Sequence, residues 1–196
     1  MRAAAGARRE LSTRDAILEA AEQRFAERGF AAVSVREIAT EAGLRNQASL
    51  YHHFRDKRAL YEGVVRRTLA SVYERWLRSV VDRDSRTERV LKMVRVTIEF
   101  LTEHPELARL CLLDGPSVDS WLVDDVAKVI ATFLDGPQPA LRASLIIGAA
   151  LAAGRHYIRN DQQPGARQLL ETTLAFCAGG LAGLPQAGRR TRKVAA

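Results

Sequence analysis

"SVREIATEAGLRNQASLYHHFRDK", residues 34–57, places two short apolar-faced segments on either side of a glycine. Ser34 with Glu37 three residues on is a capping box: hydroxyl and carboxylate each take a backbone N–H of the first turn, so a helix starts there. Ala42-Gly43 stops it, because glycine enters the left-handed geometry that closes a helix without a Cβ penalty. A second helix is then expected over about 47–54. Two short helices around a glycine turn form a helix-turn-helix, whose second helix enters the major groove of DNA with its N-terminal residues foremost.

Helical geometry sorts the side chains of that second helix. Each residue advances about 100°. With Leu50 facing a core, Phe54 lies about 40° from it, and Gln47 and His53 lie about 60° to either side. Ala48 and His52 point away, flanked by Ser49 and Tyr51. That outer face is small, polar and aromatic and suits a groove: Gln or Asn pairs with adenine, Arg with guanine or a phosphate. His53 is expected to be half-buried. His52 faces either DNA or solvent. Adjacent histidines on a helix do not share a face and chelate a metal poorly, and neither HxxxH nor HExxH is present.

Working outward, Ser12 and Asp15 form an N-cap pair for a helix of about 12–28, with Ile17, Ala21 and Phe25 on one face and Gly29 as its stop. Asp56 caps a helix from about Lys57 to Val81. Ser85-x-x-Glu88 caps another to about Glu103, with Leu91, Val94, Ile98 and Leu101 on its stripe. Pro105 breaks that helix and starts a short piece, 106–112. Further helices are expected over about 118–134, 139–159 and 166–182, with no strand. The fold class is all-α: a basic flexible arm 1–11, a helix-turn-helix domain 12–58, a helical ligand-binding and dimerisation domain 59–183, and a basic disordered tail 184–196.

Charge follows the same division. Residues 1–67 carry thirteen Lys/Arg against nine Asp/Glu, whereas 68–184 carry thirteen against fourteen. A basic end on a near-neutral body suits a polyanion at that end. No apolar run reaches the roughly 18 residues of a membrane span, and no signal-peptide pattern follows the N-terminus, which points to the cytoplasm. Cys111 and Cys177 stand apart among apolar neighbours and read as buried thiols, with a redox pair as the alternative. Nothing calls for a cofactor. No G-x-S-x-G, metal triad or phosphate loop accompanies His104 or His156, so an enzyme is not expected.

Residues 17–65 resemble the DNA-binding domain of the TetR family of bacterial transcription regulators. The resemblance rests on the A-x-x-x-F-x-x-x-G-F stretch from Ala21 to Phe30, on "SVREIATEAG" and on "LYHHFRDKRALY". It implies that Ser34 caps the second helix near a phosphate; Arg36, two residues on, is a further DNA-binding candidate. It further implies that Tyr51 contacts the DNA backbone, that Lys57 clamps a phosphate, and that Ser49 and His52 face bases or nearby phosphates. Between Gly43 and the aromatic cluster this chain is one residue longer than the commonest family pattern. Arg45, Asn46 and Gln47, together with Ala48, therefore all remain DNA-facing candidates.

The helices beyond the head agree with that family only in pattern. A short groove helix contacts few base pairs, so a two-fold pair is expected. Leu145, Gly148, Ala149 and Ala152 on one helix, and Leu170, Leu174 and Cys177 on the last, are the candidate dimer residues. An effector pocket could use Trp76, Phe100, Trp121 and Phe133 as walls and Arg95, Asp114, His156 and Arg159 as anchors. The reading is thus a ligand-responsive repressor that binds a palindromic double-stranded DNA operator as a homodimer. The alternative is a nucleoid-type protein of low sequence specificity.

Overall fold

Phe25 has no exposed surface, and the N-terminal unit is assembled around it. The structure, a computed structural model, describes residues 12–116 and 119–182; the expected basic arm 1–11 and basic tail 184–196 lie outside the described residues. Among the described residues every element is helical, so the fold is all-α, with an N-terminal helix-turn-helix domain followed by a helical C-terminal domain.

Helix α1 (Thr13–Ala32) starts where the Ser12 hydroxyl accepts the Asp15 N–H. Ile17, Ala21 and Phe25, one turn apart, are fully buried. Gly29 interrupts the helix at φ 76°, where a side chain would be strained. That kink swings Phe30 against Phe25 and Tyr61, with ring centroids 5.5 and 5.3 Å apart. Helix α2 (Val35–Glu41) buries Val35, Ile38 and Ala39, and the expected Ser34–Glu37 capping box is complete. Gly43, at φ 71°, turns the chain towards α3 (Gln47–Tyr51).

Helix α3 is shorter than the expected 47–54. His53 and Phe54 donate to the same carbonyl, Leu50 O, so the helix closes in a turn and the 100° spacing fails beyond Tyr51. His53 is consequently exposed, a correction to its expected half-burial. Leu50 and Phe54 stay in the core, at 0% and 5% exposure.

Helix α4 (Lys57–Ser79) opens with the Asp56 carboxylate accepting the Ala59 N–H at 2.6 Å. A Cβ on its Gly63 would stand 2.9 Å from Leu18 and 3.1 Å from Phe54, so its first turns press directly on α1 and the α3 turn. The chain accordingly divides into compact units 1–67 and 68–196, a division that falls later in α4 than the expected 58/59 boundary.

In the second unit, α5 (Arg86–Glu103) is capped by the Ser85–Glu88 box and buries residues around most of its girth. Val90, Met93 and Phe100 join Val94, Ile98 and Leu101 in the core, while Leu91 is only half-buried, because α5 has neighbours on several sides. Trp76 Nε1 donates to Thr97 Oγ1 at 3.2 Å, and that hydroxyl donates to Met93 O at 2.8 Å. Both buried polar groups are thereby satisfied, which avoids a desolvation cost of roughly 1–3 kcal/mol each. Helix α6 (Pro105–Arg109) runs into a π-helical turn, Leu110–Asp114. Helix α7 (Asp119–Ala131) stops before the expected 134, where the N–H groups of Phe133 and Leu134 tighten onto Ile130 O and Ala131 O. Helices α8 (Pro139–Arg159) and α9 (Ala166–Ala182) keep their expected bounds. Cys177 is buried and Cys111 half-buried, and neither is in a disulfide.

Two expectations test this packing. A Cβ at Gly154 of α8 would lie 2.6 Å from a Leu101 methyl and 3.2 Å from a Leu112 methyl, both on buried side chains. Gly154→Ala should therefore lower stability by about 1–3 kcal/mol, outweighing the usual helical gain of alanine; urea unfolding followed by circular dichroism measures it. The Glu37 carboxylate is held at a pKa of about 2, down from 4.5, first by the Ser34 N–H, then by the Ser34 hydroxyl and Arg28. A depressed carboxylate stabilises fully above its unfolded pKa and loses that contribution as pH falls through the folded one. The stability difference between wild type and Glu37→Gln should thus be constant above about pH 4.5 and shrink towards pH 2; thermal melts across that range show it.

Candidate nucleic-acid interface

Helix α3 has five residues, and its start is set by Asn46. The Asn46 Oδ1 accepts the Ser49 N–H at 2.9 Å and the Ser49 hydroxyl at 3.1 Å. This assigns different situations to the three residues that the sequence leaves equivalent. Arg45 precedes the helix, Asn46 caps it, and Gln47 is its first helical residue. Gln47 Nε2 donates to the Tyr51 hydroxyl at 3.1 Å, along one edge of the outer face. Gln47, Ala48 and His52 are exposed, Tyr51 is 45% exposed and Ser49 is half-buried.

The charges around this face are sorted by ion pairing. Arg28 Nη1 meets Glu37 at 2.6 Å and Arg24 Nη2 meets Glu41 at 2.5 Å, so two cations of α1 are tied to two carboxylates of α2. Exposed pairs of this kind add little stability; their effect is to fix α2 against α1 and to cancel charge. Arg36 and Arg45 are exposed and form no ion pair among the described residues, so their charge remains available to a polyanion. Ser34 is exposed but its hydroxyl is used in the cap.

Lys57 is placed less simply than the family resemblance implies. Its ammonium donates to Ala31 O at 3.4 Å and lies 4.4 Å from the Phe30 ring centre. Burial pushes its pKa down, and the nearby Glu37 charge works against that shift. To clamp a phosphate it must swing off the Phe30 ring. Two exposed groups beside the site were missed by the sequence reading. Arg14 stacks 5.0 Å above Phe54, and His53 stands in the turn after α3. The early end of α3 is a signal the sequence does not carry; Arg14 is reachable only through the tertiary fold.

The expected effector residues do not form one site. Trp76 and Phe133 line one groove of about 380 Å³, together with Tyr73, Leu77, Val80, Arg89, Met93 and Val129, which the sequence reading passed over. The spacing of Tyr73, Trp76, Leu77 and Val80 along α4 was the available signal. Arg95 lies apart, in a depression shared with Leu174, and pairs with Glu99 at 3.8 Å. Phe100 is buried under Arg75 and beside His104. Trp121 is half-buried, while Asp114, His156 and Arg159 are exposed, and none of the four lines that groove.

The dimer candidates divide in a similar way. Leu145 is 64% exposed, Ala152 is exposed, and Gly148, Ala149, Leu170 and Leu174 are half-buried. Cys177 is buried within the unit and faces its core. Leu141 and Phe176, at 53% and 70% exposure, extend the apolar outer faces of α8 and α9 and were missed. Among the described residues no group of His, Cys, Asp or Glu converges on a metal-sized site, and no helix is long and apolar enough to cross a membrane.

Comparison with known proteins meets the same head. Residues 17–64 match the sequence model of bacterial regulatory proteins, tetR family. An HTH-type transcriptional regulator of Mycobacterium tuberculosis is 29% identical over 136 residues, 68% of this chain and 67% of that protein. The HTH-type transcriptional repressor KstR2 of Mycolicibacterium smegmatis is 36% identical over 93 residues, 47% of this chain and 44% of the repressor. In the solved structures, the transcriptional regulator FadR of Bacillus subtilis, in complex with stearoyl-CoA, shares the fold at TM-score 0.68. It is 18% identical, over 84% of this chain and 97% of its own. By its capped helix-turn-helix and its matched residues 17–64, the head of this chain is similar to that of the TetR family of bacterial transcription regulators, and the chain shares their all-helical fold.

Proposed function

We propose that the chain is a one-component repressor that binds a palindromic operator as a homodimer and is released by a small molecule. The observation that carries this reading is α3: Leu50 and Phe54 anchor it, Asn46 caps it, and Gln47, Ala48, Tyr51 and His52 are turned to solvent. Gln47 reads base edges from the first helical position, while Ala48 permits close approach. Arg36, Arg45 and Tyr51 hold the DNA backbone and Ser49 stands beside them. Lys57 joins after leaving the Phe30 ring.

The C-terminal unit supplies pairing and response. Leu141, Leu145 and Phe176 leave large apolar groups in water on α8 and α9, and no Cβ-distance contact blocks Gly148, Gly179 or Gly180. Small residues beside exposed leucines suit a two-fold helical interface, with Ala149, Ala152, Leu170 and Leu174 alongside. A ligand that fits only one spacing of two heads shifts the population away from the DNA-competent arrangement. The neighbour FadR, solved with stearoyl-CoA, supports a small-molecule response; the name of KstR2 supports repression.

Three outcomes are expected. Asn46→Ala removes the cap of α3, at about 1 kcal/mol, and should weaken DNA binding roughly fivefold while the head stays folded; fluorescence anisotropy beside a thermal melt separates the two. Arg45→Ala should weaken binding to all sequences and lower the salt slope by about one, whereas Gln47→Ala should change the preferred bases. Random DNA competing as well as the selected site would favour the low-specificity alternative instead. Leu145→Glu and Phe176→Glu should each yield monomers by sedimentation and cost most of the operator affinity; an unchanged oligomeric state would remove α8 and α9 as the pairing face.

A further inference from the structure

We propose that the groove between the second half of α4, α5 and α7 binds a hydrophobic carboxylate, its head on Arg89 and its chain over Trp76, Met93 and Phe133. This deepens the ligand response proposed for the C-terminal unit and rests on that reading only for its effect on DNA. The groove encloses about 380 Å³, within the roughly 300–1,000 Å³ of small-molecule sites. Its walls are hydrocarbon. The Trp76 indole N–H is already given to Thr97, so the ring offers only carbon to the groove. Tyr73 backs that ring edge-on at 5.1 Å. At the rim, Leu77 is 79% exposed and Val129 36%, apolar surface that nothing in this chain covers among the described residues.

Arg89 gives the groove its chemical preference. It is the one cation among the described residues that line the space. Its Nε donates to Asp84 O at 3.1 Å and its Nη2 to Asp82 O at 2.9 Å. Two carbonyls thus fix the guanidinium in place while leaving its charge uncompensated by them. The neighbouring Asp84 carboxylate accepts from Lys92 Nζ at 2.7 Å and from the Val81 N–H at 2.8 Å, and it meets the Arg89 charge through space, with no hydrogen bond to the guanidinium. A fixed cation at the mouth of a hydrocarbon groove is complemented by an anion carried on a hydrocarbon body, with a carboxylate on the remaining edge of the fork. A neutral alcohol of the same length satisfies the walls and leaves the charge unanswered; a cationic head is repelled.

The test uses the full chain, with tryptophan fluorescence and titration calorimetry, and decanoate, decanol and decyltrimethylammonium as probes. Decanoate should bind at least tenfold more tightly than decanol, and the cation not at all. Arg89→Gln should bring decanoate down to the decanol level without changing decanol, with a thermal melt confirming the fold. Val129→Trp, which fills the rim, should remove both and stands as the second variant if Arg89→Gln does not fold. Equal binding of decanoate and decanol, no saturable decanoate binding below micelle formation, or decanoate binding unchanged in Arg89→Gln would overturn the proposal. So would a change of oligomeric state in Leu77→Arg, which would make this face an interface between copies. Operator binding separates the two readings. Decanoate bound in the groove without effect on DNA would keep the site and remove its role in release. Ligand-driven release that persists in Val129→Trp would keep the response and overturn the groove.

Discussion

A helix of five residues does not hold itself together. Isolated helices shorter than about 12–15 residues are marginal in water, because nucleation costs more than a few hydrogen bonds return. Helix α3 persists because its start is capped by Asn46 and its inner face is pinned by Leu50 and, just past its end, Phe54. The rest of the N-terminal unit supports those two side chains. Phe25, Phe30 and Tyr61 form the aromatic floor, Gly63 lets α4 approach Phe54 and Leu18, and the Arg28–Glu37 and Arg24–Glu41 pairs fix α2. The outer residues of α3 can then be chosen for contact, since none is needed for packing.

The C-terminal unit solves a different problem. Helix α5 is buried on several sides, so its polar groups must be satisfied internally, which the Trp76–Thr97–Met93 chain achieves. Its neighbours α8 and α9 each bury one face and leave the other apolar and exposed. Those outer faces and the groove beside Arg89 present hydrocarbon to water among the described residues, and each calls for something else to cover it.

Much of this was legible in local chemistry. The serine caps at Ser12, Ser34 and Ser85 act within one turn, so sequence alone located the starts of α1, α2 and α5. Pro139 and the loop before Ala166 did the same for α8 and α9. What escaped depends on distant partners. The end of α3 is set by a turn onto Leu50 O, and so His53 came out of the core. The stripe on α5 was drawn too narrow because periodicity shows one buried face and not several. The groove residues lie on three helices whose meeting no spacing encodes, and the expected anchors His156 and Arg159 simply face outward. Cys177, placed at a helical spacing that suited an interface, points instead into its own unit.

The central claim is that α3, presented twice by a two-fold pair, reads DNA. Selection of bound fragments from a genomic library by the full chain tests it most directly. The account predicts enrichment of short inverted half-sites separated, centre to centre, by about one helical turn or a multiple of it, roughly 10–10.5 base pairs each. Recovery of fragments spread evenly, with no shared inverted sequence, would contradict it.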